Sequence, residues 1–174
     1  MRLPHVILDP RWVVFDVNHC IARLQTIESL RMQKEGETRK LTISNTSKDP
    51  IRVLIADDHR TVRLGIQRLL AGAPDIVIVG EAADGAQALE MVELLLPDVL
   101  LLDVEMPIMN GLQVASKLRQ MQLPVQILAL SAYNDQQYIV GMLANGARGY
   151  LTKDEVPYKL SAAIRSVAAG DVIS

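Results

Sequence analysis

The pattern of hydrophobic and polar positions changes near residue 50. From there on, short apolar runs bounded by turn residues alternate with segments in which apolar residues recur every three or four positions. Runs of the first kind are typical of buried strands, and the second spacing predicts amphipathic helices. The predicted strands are 51–56, 76–79, 99–102, 125–130 and 149–152, and the predicted helices are 59–71, 84–93, 112–119, 136–143 and 157–168.

This regular alternation gives five βα units joined by short connections. Helices that alternate with buried strands must cover both faces of a parallel sheet. We therefore predict an α/β fold, a flavodoxin-like doubly wound (βα)5 sheet with strand order 2-1-3-4-5. An apolar content of 49% supplies enough side chains for its core.

The first fifty residues follow a different pattern, and we predict that 1–50 form a small N-terminal extension to a domain over 51–174. Two apolar runs within 5–17 predict a hairpin, a helix can follow Asn18, and the polar composition of 36–50 indicates a linker. So small a unit has little core, so Trp12, Val14 and Phe15 are expected to need a partner surface. A partly disordered extension is the alternative.

Charge and composition exclude several classes of protein. Residues 1–50 hold eight Lys or Arg against six Asp or Glu, and 51–174 hold ten against fourteen, so neither part has the basic excess of a nucleic-acid surface. No apolar stretch approaches the roughly 18 residues that span a bilayer, which favours a cytoplasmic protein without membrane contact. The single cysteine, Cys20, excludes an intrachain disulfide.

The candidate chemistry lies where the predicted strands end. Asp103 directly follows the apolar run 99–102, and Asp57 and Asp58 follow the first strand. In the predicted order, strands 1 and 3 are neighbours, so these carboxylates should face one another at the carboxyl edge of the sheet. Three carboxylates repel unless a cation is present, and oxygen ligands favour Mg²⁺, which commonly also binds phosphate oxygens.

Strands 4 and 5 add two further groups to the same edge. Ser131 offers a hydroxyl and Lys153 an ammonium, and both groups suit the oxygens of a phosphoryl group. An aspartate can act as a nucleophile toward phosphorus. Each residue alone is commonly a helix cap or a surface group, but four of five strand ends carrying the parts of one reaction points to an aspartyl phosphate.

These residues stand in motifs that resemble the receiver domain of bacterial two-component response regulators. The similarity covers about 51–170 and is carried by Val-Leu-Ile-Ala-Asp57-Asp58-His59, Asp103-Val-Glu-Met-Pro-Ile-Met-Asn-Gly111, Ala-Leu-Ser131-Ala132 and Gly149-Tyr150-Leu-Thr-Lys153. The resemblance implies that Asp103 accepts a phosphoryl group from the phosphohistidine of a histidine kinase or phosphotransfer protein.

The resemblance also assigns roles around the acceptor. Mg²⁺ would be held by Asp57, Asp58, Asp103 and the backbone carbonyl of Glu105. Ser131 and Tyr150 would form the switch pair, with Lys153 on the phosphoryl group. Glu105 and Tyr133, two positions beyond Asp103 and Ser131, are expected to set the lifetime of the phosphorylated state.

Three features are similar to the NarL/FixJ subfamily of transcriptional regulators: His59 after the acidic pair, Ser131 in place of threonine, and Asp154 in place of proline after Lys153. The absent proline leaves the geometry of the Lys153–Asp154 peptide open. In that subfamily a helix-turn-helix domain follows the receiver, whereas this sequence ends at Ser174. We therefore expect no direct nucleic-acid binding by these residues, in either a truncated regulator or a free-standing receiver.

A homodimer is a further expectation, through the first and fifth helices or the face around Tyr150. The candidate side chains are Leu64, Leu69, Leu160 and Ile164, although core packing explains such residues equally well.

The main hypothesis is a phosphoacceptor rather than a turnover enzyme. One alternative is a phosphatase with an aspartyl-phosphate intermediate, but such enzymes generally carry Asp-x-Asp on one loop, and the second residue after Asp103 is Glu105. The other alternative is a receiver-like binding module that is not phosphorylated.

Overall fold

The computed structural model describes residues 49–133 and 135–173. In this part of the chain, five parallel strands form one sheet in the order β2-β1-β3-β4-β5, which confirms the predicted flavodoxin-like topology. The strands are β1 Ile51–Ala56, β2 Ile76–Ala82, β3 Val99–Asp103, β4 Gln126–Ser131 and β5 Ala147–Thr152. The helices are α1 Arg60–Leu70, α2 Gly85–Leu95, α3 Gly111–Met121, α4 Gln136–Ala144 and α5 Val156–Ala168.

Both faces of the sheet are covered, and the central strand β3 shows why. Leu100 and Leu102 pack into a core with α2, α3 and α4, whereas Val99 and Leu101 pack into a second core with α1 and α5. A strand that buries both sets of side chains needs a continuous apolar run, because successive residues point to opposite faces. This is the physical reason that 99–102 contains no polar residue.

Two strands extend by more than one residue beyond the apolar runs that predicted them. β2 continues through Gly80 and Glu81 to Ala82, because pairing with β1 holds these residues although they interrupt the apolar pattern. Gly80 lies under α2, where an added Cβ would approach the Met91 Cε atom to 2.5 Å. β5 begins at Ala147, two residues before its predicted start.

The starts of α2 and α3 are set by side chains near the carboxyl edge of the sheet. Asp84 caps α2, and its carboxylate accepts a hydrogen bond of 2.9 Å from the Gln87 backbone N–H. Asn110 caps α3 in a reciprocal capping box with Gln113. Both caps satisfy backbone donors that would otherwise lack partners at a helix terminus.

The expectations for the extension, including the hairpin, the helix after Asn18 and the partner surface of Trp12, Val14 and Phe15, lie outside the described residues and stay predictions. The boundary near residue 50 also stays a prediction. Among the described helices, none combines the length and apolar character needed to cross a bilayer.

Candidate functional site

The carboxyl ends of β1 and β3 bring Asp57 and Asp103 together as the sequence predicts. Ala56 pairs with Leu102 in the parallel ladder, so the residues that follow them are neighbours at one edge of the sheet. Asp57, Asp103 and Ser131 are the polar residues that the described part of the chain buries. Burying such groups costs free energy unless they are paired, which makes this edge the leading candidate for a functional site.

Lys153 connects the two buried carboxylates. Its Nζ atom lies 2.8 Å from Asp57 Oδ2 and 3.0 Å from Asp103 Oδ2, where it donates a hydrogen bond. The Lys153 backbone N–H donates to the Ser131 carbonyl at 2.7 Å, which ties the end of β5 to the end of β4. The ends of the strands therefore hold the Lys153 ammonium at the Asp103 carboxylate.

Burial and charge act in opposite directions on these groups. Desolvation raises the pKa of Asp103, and it outweighs the hydrogen bond from Lys153; the neighbouring charge of Asp57 raises this pKa further. Desolvation lowers the pKa of Lys153, but the two carboxylates together outweigh it and raise that pKa overall. The site thus pairs a carboxylate and an ammonium whose pKa values are both raised.

Asp58 and His59 complete the acidic edge. The His59 Nδ1 atom lies 2.7 Å from Asp58 Oδ1 and 3.6 Å from Asp57 Oδ1, and the His59 backbone N–H donates to Asp57 Oδ1 at 2.8 Å. One potential ligand atom from each of Asp57, Asp58, His59 and Asp103 lies within 4.8 Å of the others. The imidazole thus occupies the side of Asp58 that a metal ion would approach.

The acidic edge fits a hard divalent cation. Within the described residues, the buried Asp57 Oδ2 and Asp58 Oδ1 atoms each have one close nitrogen, Lys153 Nζ at 2.8 Å and His59 Nδ1 at 2.7 Å, and each keeps a free acceptor position. Buried carboxylate oxygens with unfilled acceptor positions are the ligands that Mg²⁺ and Ca²⁺ prefer. Asp57, Asp58 and Asp103 would hold such an ion, and its charge would offset the repulsion between the three carboxylates.

The loop after Asp103 is folded tightly against the strand end. The Glu105 backbone N–H points to Asp103 Oδ1 at 3.4 Å, while the Glu105 side chain is exposed. Gly111 donates its N–H to the Val104 carbonyl at 2.9 Å, and a Cβ on Gly111 would lie 2.3 Å from the Asp103 carbonyl oxygen. Glycine is therefore required here, because the first residue of α3 touches the backbone of Asp103.

The tip of this loop is strained and exposed. The Met109 N–H donates to the Pro107 carbonyl at 2.7 Å, and Ile108 between them has a φ of 68° with 82% of its surface exposed. A β-branched residue in this backbone region is unfavourable, and a three-residue turn of this kind is rare. The turn places an apolar side chain at the rim of the acidic edge.

Ser131 and Tyr150 are joined through the backbone of Tyr133. The Tyr133 N–H donates to Ser131 Oγ at 3.1 Å, and the Tyr150 hydroxyl donates to the Tyr133 carbonyl at 2.7 Å. Tyr150 is turned inward with 5% of its surface exposed, whereas the Tyr133 ring is largely in solvent. Displacement of the Ser131 side chain would thus act on Tyr150 through one intervening residue.

The turn after Lys153 is closed without a proline. All described peptide bonds are trans, including Lys153–Asp154. The Glu155 carboxylate accepts hydrogen bonds of 3.1 Å from both the backbone N–H and the hydroxyl of Thr152, and the Glu155 N–H donates to the Thr152 carbonyl at 2.9 Å. Glu155 therefore holds the end of β5 against the start of α5.

One participant at this edge is missing from the sequence-based prediction. The Arg63 Nη1 atom donates to the Asp57 carbonyl at 2.7 Å and reaches the Asp58 carbonyl at 3.4 Å, and its Nε atom donates to Glu81 Oε2 at 2.9 Å. Gln67 donates to the other oxygen of Glu81. A sequence signal exists, since Arg63 and Gln67 are four residues apart and share the face of α1 that follows the acidic pair.

The structure separates the apolar residues that were proposed for a dimer. Leu160 and Ile164 lie in the core against the sheet, so core packing explains them. Leu64 and Leu69 on α1 are partly exposed and stay available for contact with another molecule.

Comparisons with known proteins agree with this fold. The family described as the response regulator receiver domain matches residues 53–165. The nitrate/nitrite response regulator protein NarL of Escherichia coli K12 is 42% identical over 128 residues, which are 74% of this chain and 59% of that protein. The oxygen regulatory protein NreC of Staphylococcus carnosus is 38% identical over 122 residues, or 70% of this chain and 56% of the relative.

Solved structures show the same architecture. The signal receiver domain of a protein described as the response regulator NarL of Mycobacterium tuberculosis matches with a TM-score of 0.68 at 40% identity, covering 71% of this chain and 99% of that domain. The response regulator domain of Thermotoga maritima CheB matches with a TM-score of 0.64 at 28% identity, covering 69% of this chain and 97% of the other. The chain thus spans a whole receiver but about 59% of the length of its full-length NarL relative.

Proposed function

Because this chain belongs to the response regulator receiver domain family, with NarL among its relatives, we propose that it is a phosphoryl-accepting switch in a two-component phosphorelay. Asp103 is the acceptor in this proposal. The supporting observation is the buried Asp103 carboxylate at the end of the central strand, paired with the Lys153 ammonium beside Asp57. A buried charge pair of this kind is hard to explain by stability alone.

In the proposed transfer, an Asp103 oxygen attacks the phosphorus of a phosphohistidine on a histidine kinase or phosphotransfer protein. The new O–P bond forms as the P–N bond breaks, and the electron pair of that bond stays with the imidazole. Mg²⁺ bound by Asp57, Asp58, Asp103 and the Glu105 backbone carbonyl would neutralise charge on the transferred group. Lys153, already 3.0 Å from Asp103 Oδ2, moves its hydrogen bond to a phosphoryl oxygen.

The switch follows from the contacts of Ser131. Its hydroxyl turns toward the phosphoryl oxygens and leaves the Tyr133 N–H, which frees the backbone that accepts the Tyr150 hydroxyl. The surface around Tyr150 then changes its conformation. Glu105 and Tyr133 have exposed side chains at this edge, and we propose that they tune the hydrolysis of the phosphorylated state by directing water.

The wider setting is also a proposal, and the regulatory names of the relatives support its output. The chain acts in the cytoplasm with a histidine kinase or phosphotransfer partner, it forms a homodimer, and it controls a transcriptional output. The curated relative's printed name refers to a nitrate and nitrite response, and we take from it only the class of regulator.

The test is covalent labelling of the full chain by a small-molecule phosphodonor with Mg²⁺, read by intact mass. The wild type should gain one phosphoryl group, and Asp103→Asn should gain none because an amide is not a nucleophile toward phosphorus. Asp98→Asn, on the connection before β3, is the matched control and should be labelled normally. Full labelling of a folded Asp103→Asn variant would contradict the assignment.

The alternatives have distinct results in the same experiment. A phosphatase releases inorganic phosphate from a phosphate ester over many turnovers, whereas a phosphoacceptor does not hydrolyse the ester and carries one phosphoryl group per chain until its own aspartyl phosphate hydrolyses. A non-phosphorylated binding module gives an unlabelled wild type with its acidic edge intact.

A further inference from the structure

Arg63 links the backbone of the acidic pair to strand β2. Its guanidinium donates to the Asp57 carbonyl at 2.7 Å on one side and to Glu81 Oε2 at 2.9 Å on the other. The side chain is 13% exposed, so it is enclosed between α1 and the edge of the sheet. A planar fork that spans two acceptors holds a fixed geometry that a single ammonium cannot reproduce.

The Asp57 end of this link is held by two backbone hydrogen bonds. The Asp57 N–H donates to the Ala82 carbonyl at 3.1 Å, and the Asp57 carbonyl accepts from Arg63. Fixing both the N–H and the carbonyl of one residue restricts its φ and ψ, and it therefore fixes the direction in which its side chain leaves the backbone. The Asp57 carboxylate is thereby aimed at Lys153 and Asp103.

Glu81 is itself held in place. One of its carboxylate oxygens accepts from Arg63 and the other from Gln67, so both oxygens have partners. Glu81 pairs with Ile55 in the ladder between β2 and β1, immediately before the end of β1. The chain of contacts runs from Gln67 through Glu81 and Arg63 to the carbonyls of Asp57 and Asp58.

We propose that Arg63 is a positioning residue for the metal-binding acidic pair, acting through the backbone of Asp57 and Asp58 rather than by contact with the ion. This inference rests on the proposed function, because it takes the acidic edge as a Mg²⁺ site. Arg63 sets the spacing of the two carboxylates before the ion arrives, and Glu81 offsets its charge.

The charge of Arg63 and its positioning role predict opposite changes in Mg²⁺ affinity when the residue is replaced. Removing a nearby cation strengthens the field for a second cation, so a purely electrostatic role for Arg63 makes Mg²⁺ bind more tightly after its removal. Loss of positioning weakens binding because the carboxylates must be ordered at the moment the ion binds. The sign of the change in affinity therefore separates the two roles.

The experiment titrates MgCl₂ at constant ionic strength into the full chain and follows the amide resonances of Asp57, Asp58 and Asp103. The variants are Arg63→Met, which keeps an unbranched apolar stem, and Arg63→Lys, which keeps the charge without the fork. Arg165→Met is the control, because the Arg165 guanidinium likewise donates two hydrogen bonds, here both to the Asp75 carboxylate, away from this edge. Urea unfolding of each variant records the effect on stability.

We expect the dissociation constant for Mg²⁺ to rise about tenfold in Arg63→Met and nearly as much in Arg63→Lys, as for other outer-shell partners of metal ligands. Arg165→Met should change it less than about twofold while still changing stability. If Arg63→Met does not fold, Arg63→Lys carries the test alone.

An unchanged or tighter affinity in Arg63→Met overturns the inference and leaves the phosphoacceptor proposal standing. Wild-type affinity in Arg63→Lys also overturns it, since the two-bond guanidinium fork would then not be needed. A wild-type chain whose resonances do not respond to Mg²⁺ overturns the metal site itself and the positioning role with it.

Discussion

Two clusters at the same edge of the sheet are held together by different forces. The acceptor cluster, named for the role we propose for Asp103, consists of the buried carboxylates of Asp57 and Asp103 and the partly exposed Lys153 ammonium that joins them. The switch cluster, Ser131, Tyr133 and Tyr150, consists of neutral hydrogen bonds through one backbone segment. Buried charges resist separation because each leaves the others uncompensated, whereas a neutral hydrogen bond exchanges with water at little net cost. We therefore propose that the chemistry belongs to the more rigid cluster and the movement to the other.

The largest effect should come from removing the cation of the acceptor cluster. Lys153→Met leaves two buried carboxylates facing each other, and we expect it to lower the free energy of unfolding by about 2 to 3 kcal/mol at neutral pH. Urea denaturation measures this loss. Lys159→Met, which breaks an exposed pair with Glu155, is the control and should cost far less. Equal losses in the two variants would remove the contrast between the clusters.

A smaller effect is expected from the switch cluster. Tyr150→Phe removes one hydrogen bond to the Tyr133 carbonyl and keeps the ring, so it should cost about 1 kcal/mol of unfolding free energy. Phosphoryl labelling of Asp103 should persist, while the chemical shifts of Ser131 and Tyr133 should respond less to it. Tyr158→Phe, at a strongly exposed tyrosine on α5, provides the comparison and should alter neither quantity. Loss of labelling in Tyr150→Phe would show that the two clusters are not separable.

The smallest effect should come from the turn that follows Lys153, and it should depend on pH. Hydrogen bonds from Lys159 first, and from Thr152 next, lower the pKa of Glu155 below its ordinary value of 4.5. A folded-state pKa below the unfolded one gives stability that is present above the unfolded pKa and is lost as the pH falls through the folded pKa. Glu155→Gln should therefore be less stable than the wild type at neutral pH, with a difference that vanishes in acid below pH 4.5.

Thermal unfolding between neutral and acidic pH checks this dependence. Lys159→Met should show the same sign, since Lys159 is the largest cause of the shift. A Glu155→Gln difference that grows in acid would mean that the turn is held by other contacts.

Most of the acceptor cluster could be predicted from sequence because its residues directly follow apolar runs. Asp103 is the last residue of β3 and Ser131 of β4, while Asp57 and Lys153 directly follow β1 and β5. Each of these positions is a local signal in the sequence, and the strand order brings them together in space.

The Arg63 link could not be predicted in the same way. Glu81 lies in the part of β2 where Gly80 and Glu81 interrupt the apolar pattern, so its position in the sheet depends on pairing with β1. The Tyr133 link uses main-chain atoms, which every residue has and no motif marks. On α1 and α5 the apolar spacing is alike for Leu64 and Ile164, and only packing decides which one is buried.

The burial of β3 on both faces limits how often its amides are exposed to solvent. A strand between β1 and β4, with a core on each face, can exchange its amide hydrogens only when large parts of the domain unfold, whereas loops exchange through small local fluctuations. The amides of Leu100 to Leu102 should thus be among the slowest to exchange. Asp103 terminates this segment, so we expect its carboxylate, the proposed attacking group, to keep its place even when the exposed residues Ile108 and Tyr133 exchange through local fluctuations.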